Sequence, residues 1–130
     1  MDRDDLKLMS MKQAIDSLER ALAQPVDEFV RDAVIQRFKY AFELAWKMIK
    51  RHLESAGIVE TSPLSRKELF REAARAGLID DPEPWFRYGA ARNQTSHIYN
   101  LQTANEVYKV ASEFLPDVKT LLVQLEQKHD

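Results

Sequence analysis

Cysteine is absent from the 130 residues, which excludes disulfides, thiol nucleophiles and thiolate metal sites and leaves nothing that calls for an oxidising compartment. Glycine and proline are scarce, at three and five residues, too few for a fold made of many tight turns, and no glycine-rich phosphate loop occurs. Histidine stands only at His52, His97 and His129, too dispersed for a metal motif, so neither a metal nor another cofactor is expected. No apolar run approaches the ~20 residues of a membrane span. The first residues, Met1-Asp2-Arg3-Asp4-Asp5, are charged, so the expectation is a cytoplasmic protein without membrane contact. A large excess of one charge is missing as well. The formal net charge of −2 does not announce a nucleic-acid binder, although residues 31–92 hold 12 Lys/Arg against 9 Asp/Glu. A nucleic-acid surface would have to be local and drawn from that middle stretch.

What the chain does have is 45% hydrophobic residues and an abundance of Ala, Leu, Glu, Lys, Arg and Gln, a balance that favours helices and a packed core. Its length suits one domain, taken as residues 1–130. Met11, Ile15, Leu18 and Leu22 make one apolar stripe and predict a first helix over 6–23, closed by Pro25. Asp27 can cap a second, unusually long helix whose stripe of Val30, Val34, Phe38, Ala41, Ala45, Met48 and Leu53 runs on to Ala56, with Gly57 placed to end it. Residues 58–64 read as a connector. Ser65 and Glu68 then form a capping-box pattern for a short helix that Gly77 stops, and Asp80-Asp81-Pro82 starts a fourth helix reaching Asn93. Thr103 and Glu106 form a second capping-box pattern for a last helix, which Pro116 should kink or split. The expected fold is all-α, an antiparallel up-and-down bundle of about five helices around a four-helix core.

Chemistry concentrates in Arg92-Asn93-Gln94-Thr95-Ser96-His97-Ile98-Tyr99. Arg92 carries a permanent charge on a planar fork of donors suited to a phosphate, and His97 can move a proton near neutral pH. Such a pair is equipped to cleave RNA without a metal. His97 would take the proton of a 2′-hydroxyl or protonate the leaving oxygen, and Arg92 would stabilise the phosphorane. On an unbroken helix residues five apart lie about 140° round the axis. The pair therefore meets only if the helix breaks near Thr95 and Ser96, which are natural caps, or if the two side chains address one cleft from its two sides. The competing reading is that Arg92 pairs with an acidic neighbour while His97 and Tyr99 hydrogen-bond a helix junction. Tyr40, Phe42 and Trp46 could stack a base, although aromatics at helical spacing more often belong to a core or a dimer surface. His52, near the end of the long helix, suits the helix dipole when protonated.

The stretch 92–99 resembles the R-x4-H-x-Y motif of HepT-type members of the HEPN superfamily, also called nucleotidyltransferase substrate-binding proteins. Phe38-Lys39-Tyr40-Ala41-Phe42-Glu43-Leu44-Ala45-Trp46-Lys47 is similar to that family's aromatic central helix, and the helical layout agrees over nearly the whole chain. The resemblance implies a bundle that forms a homodimer or higher homo-oligomer, so that two copies of the motif face one cleft. It implies RNA as the substrate of a metal-independent ribonuclease toxin, with Arg92 and His97 as the catalytic pair, Asn93 beside them, and Thr95 and Ser96 as supporting polar groups. It also implies a small nucleotidyltransferase antitoxin that transfers AMP onto Tyr99, where the added phosphate and bulk would block the site. The alternative within the same resemblance is a non-catalytic subunit that binds nucleotide or presents substrate to that nucleotidyltransferase, with Arg92 as a phosphate clamp.

Overall fold

The computed structural model describes residues 2–57 and 64–128. They form α1 (Arg3–Leu22), α2 (Glu28–Ser55), α3 (Arg66–Arg75), α4 (Pro82–Asn93), a 3₁₀ turn (Gln94–His97) and α5 (Leu101–Lys128). Helix starts follow capping chemistry. Asp2 accepts from the Asp5 amide at 2.8 Å while Asp5 reaches back to the Asp2 amide, which starts α1 earlier than its apolar stripe suggests. Asp27 accepts from Val30 at 2.7 Å and Asp81 from Glu83 at 3.0 Å, each satisfying an amide with no partner inside the helix. Gly57 and Gly77, at φ 65° and 80°, terminate α2 and α3 as expected of residues without a Cβ.

Three expectations need correction. The Ser65 hydroxyl accepts from the Glu68 amide at 3.2 Å, but among the described residues the reciprocal bond is not made, so the box at α3 is half formed. α5 starts at Leu101, not at Thr103, because the Asn100 side chain accepts from the Thr103 amide at 3.2 Å and takes the capping position first. Pro116 does not split α5, which is continuous through it. The lost amide bond is one among many in a 28-residue helix whose buried face runs from Ala104 to Leu125. The expected connector lies outside the described residues over 58–63.

α1 and α4 run opposite to α2 and α5. The Arg51–Asp4 pair joins the end of α2 to the start of α1, and Tyr88 of α4 meets Glu113 and Asp117 of α5. α3 is a short additional helix packed on α4 and α2, and α1 touches neither α3 nor α4. The core is a cluster of rings centred on Phe114, whose centroid lies 5.1 Å from Phe38, 5.2 Å from Tyr88 and 5.7 Å from Trp85, all edge to face. That orientation sets a positive ring edge on a negative ring face and adds about 0.5–1.5 kcal/mol per pair beyond burial. Phe42 and Phe70 extend the cluster towards α3. Among the described residues no helix is long and apolar enough to cross a membrane.

Candidate functional site

The aromatic core anchors α4, and the end of α4 delivers the polar stretch. Trp85 and Tyr88 are buried, and Gly89 and Ala91 bring the helix close to its neighbours. α4 then gives way at Gln94 to the 3₁₀ turn. The Thr95 hydroxyl donates to the Arg92 carbonyl at 2.8 Å, satisfying one of the acceptors that a helix end leaves unpaired. The break expected near Thr95 and Ser96 is therefore present, and it begins at Gln94.

Among the described residues no hydrogen bond joins Arg92 to His97 across the break. Arg92 is half-buried and turns back onto α2, where its Nε donates to Oε1 of Glu43. The second oxygen of Glu43 accepts from the Trp46 indole at 3.0 Å. Burial alone would raise the Glu43 carboxyl, but bonds from Arg92 and Trp46, with the charges of Arg92 and Arg66, outweigh it and hold the carboxyl below its usual value. Glu43 is thus an ionised anchor that fixes the direction of the Arg92 guanidinium through one of its nitrogens. The expected acidic neighbour of Arg92 exists, and it lies on another helix. Sequence reading missed Glu43; its signal was a carboxylate set among Phe42, Leu44, Ala45 and Trp46 on the long helix.

His97 and Tyr99 are exposed, and their rings stand edge to face with centroids 6.0 Å apart. Tyr99 is 85% exposed. Among the described residues neither side chain forms a hydrogen bond, so they do not stitch a helix junction; that is done by backbone, with the Asn100 amide donating to the His97 carbonyl at 3.2 Å. Ser96 is exposed beside them. Asn93 ends α4 and lines a cleft with Arg66 and Lys67 of α3. The other side chains singled out from sequence separate by burial. Phe42 is core, Trp46 is the clamp on Glu43, and Tyr40 is exposed. His52 is partly buried, and burial together with the Lys128 charge pushes its imidazole below the ordinary value, which favours its neutral form. His129 lies outside the described residues.

The arrangement offers a fixed cation, a free imidazole and a free phenol on one exposed corner, which is the equipment for holding a phosphate and moving a proton. Known proteins resemble the chain in sequence and shape. Residues 6–127 match the family described as nucleotidyltransferase substrate binding protein like. The protein named "Probable ribonuclease HepT" from Haemophilus influenzae is 35% identical, over 99% of this chain and 98% of its own length. A solved Haemophilus influenzae structure, described as the fold of a substrate binding domain of a nucleotidyltransferase, superposes with a TM-score of 0.86 at 34% identity, covering 92% of this chain and 99% of that one. A Thermus thermophilus structure superposes at 0.80 with 26% identity, over 88% of this chain and 98% of its own. With a match over almost its whole length, the chain belongs to the nucleotidyltransferase substrate binding protein like family.

Proposed function

We propose that the protein is a metal-independent ribonuclease of the HepT type, the toxin of a toxin–antitoxin pair, and that a partner nucleotidyltransferase silences it by transferring AMP to Tyr99. The observation that carries this reading is the contrast within the motif: Arg92 is clamped by Glu43 while His97 and Tyr99 are exposed and unbonded. A guanidinium held in advance can stabilise developing phosphorane charge without reorganising, and an unbonded imidazole is free to exchange a proton. The relatives named a ribonuclease and a nucleotidyltransferase substrate binding domain support the two halves of the proposal.

In the reaction, His97 takes the proton of a 2′-hydroxyl. The 2′-oxygen bonds to phosphorus, the bond from phosphorus to the 5′-oxygen breaks, and that oxygen receives a proton, leaving a 2′,3′-cyclic phosphate and a 5′-hydroxyl. With no bond between Arg92 and His97 among the described residues, the reading is that two copies share one cleft. Two copies form a homodimer, and one His97 serves as base while the other serves as acid. In silencing, the Tyr99 phenolate oxygen bonds to the α-phosphorus of ATP held by the partner and pyrophosphate leaves. The phenol's exposure of 85% makes it reachable by a second protein.

The test is RNA cleavage by purified protein, in chelator, with Tyr99 shown unmodified by mass. His97→Ala should lower the rate by roughly 10²–10⁴-fold, the usual contribution of a general acid or base. Equal cleavage by both proteins, or none by either, sinks the nuclease half and favours a non-catalytic subunit in which Arg92 is a phosphate clamp. For the silencing half, incubation with the nucleotidyltransferase and ATP should add the mass of AMP to wild type and nothing to Tyr99→Phe.

A further inference from the structure

Two groups of cations in the chain differ in what holds them. Arg31, Arg51, Arg75, Arg87, Arg92 and Lys119 each pair with a carboxylate. Arg66, Lys67 and Arg71 form no ion pair among the described residues and are held by rings instead. The Arg66 guanidinium lies 5.4 Å from the Phe42 ring centre and 5.2 Å from that of Trp46. Lys67 and Arg71 lie 5.5 and 5.2 Å from the ring centre of Phe86. A ring face attracts a cation through its quadrupole yet carries no net charge, so it positions the cation without neutralising it.

Arg66, Lys67 and the Phe86 ring that also holds Arg71 border a cleft of about 350 Å³ between α3 and α4, at the lower end of the ~300–1,000 Å³ typical of sites for small ligands. Arg66 and Lys67 line it, Phe86 and Asn93 form the opposite wall, and among the described residues no acidic side chain lines it. Gly89 keeps its floor open between Phe42 and Arg66. The cleft is continuous with the motif. Arg66 sits on Trp46, Trp46 holds Glu43, Glu43 holds Arg92, and Asn93 follows Arg92 in the chain.

We propose that this cleft is a subsite for the sugar–phosphate backbone of single-stranded RNA, which Arg66, Lys67 and Arg71 hold as the strand runs past Asn93 to the 92–99 turn. The proposal rests on the ribonuclease reading and adds to it the surface that aligns the strand. On this reading a chain with a net charge of −2 holds a polyanion through a local group of cations, Arg66, Lys67 and Arg71, rather than through its overall charge.

The test measures binding of a labelled single-stranded oligoribonucleotide by fluorescence anisotropy over a range of salt, in His97→Ala protein so that the RNA survives. Adding Lys67→Glu and Arg71→Glu, both at exposed positions, should weaken binding about tenfold or more. It should also flatten the dependence of log affinity on log salt by about 1.4, from roughly 0.7 for each of two single-strand phosphate contacts. An equal charge change on α1, which touches neither α3 nor α4, made with Arg3→Glu and Lys12→Glu, should leave affinity within about twofold. Helical melting of both variants, checked by circular dichroism, should match the parent.

Equal losses from the two charge changes, or no loss from the cleft variant, overturn the subsite and leave the ribonuclease reading standing. Absence of RNA binding by the parent overturns both. Displacement of the RNA by equimolar AMP or ATP marks a mononucleotide pocket and overturns the strand subsite. So does a cleft variant that keeps RNA and loses only the nucleotidyltransferase.

Discussion

Tyr88 and Tyr99 lie on the same arm of the chain and share a side chain, yet their surroundings give them opposite chemistry. Tyr88 is 1% exposed, donates to the Asp117 carboxylate and is wedged edge to face between Trp85 and Phe114. Burial, then the bond to Asp117 and its charge, push its phenol far above the ordinary value, so it stays neutral and serves packing. Tyr99 is 85% exposed, with the His97 ring edge to face beside it. The difference teaches that α4 is a lever with one end built into the core and the other end free. Rigidity at Trp85 and Tyr88 fixes where Arg92 begins, and the exposed turn leaves His97 and Tyr99 open to a substrate or a second protein.

The comparison is broken most forcefully at its buried end. Phe114→Ala removes the ring on which Phe38, Trp85 and Tyr88 converge. Its expected cost is about 3–5 kcal/mol, seen as a fall in thermal midpoint on the order of ten degrees or more. A change of only a degree or two would show that the ring cluster does not anchor α4. Tyr88→Phe keeps the ring and removes the hydroxyl, leaving Asp117 without its donor, and should cost about 1–3 kcal/mol at neutral pH. Its pH dependence is distinctive. With the folded value raised above the ordinary 10.0, the Tyr88 contribution is complete below pH 10 and is lost as pH rises beyond it. The gap between wild type and Tyr88→Phe should therefore narrow in alkaline melts.

Glu43→Gln probes the joint between the two ends. Removing the charge that Arg92 faces should destabilise by about 1 kcal/mol, and the loss should follow acid rather than alkali. The Glu43 value is depressed below the ordinary 4.5, so its contribution is present above that pH and disappears as pH falls through the folded value. Melts of the two proteins should differ at pH 7 and converge as the pH falls below 4.5 through the depressed folded value; a constant difference would mean that Glu43 is not an ionised anchor. The smallest effect on stability belongs to the free end. Tyr99→Phe should shift stability by no more than about 0.5 kcal/mol, because the hydroxyl meets no partner. A larger loss would mean that the turn depends on the phenol and is less free than its exposure indicates.

The sequence announced much of this architecture because its signals are local. Asp27, Asp81, Gly57 and Gly77 act within a turn of where they stand, and the apolar stripes of α1, α2 and α5 recur at helical spacing. Where two local signals competed, periodicity could not choose. Asn100 preceded Thr103 as the cap of α5, and the length of α5 carried it through Pro116. The motif was legible as a dense run of polar groups, but the state of each member was not. Asn93 was read beside Arg92 and His97, and the structure adds that it lines a cleft with Arg66 and Lys67.

By itself, then, the sequence determined the helical class, most helix ends, the apolar faces and the stretch on which chemistry concentrates, since each depends on residues within a few positions of one another. Only the tertiary structure decided that Arg92 is clamped by Glu43, that His97 and Tyr99 are free, and that Arg66 and Lys67 face Asn93 across a cleft. The physical reason is separation along the chain. Arg92 and Glu43 are 49 residues apart, and no local rule of spacing links two helices until the ring cluster around Phe114 has set the distance and rotation between them.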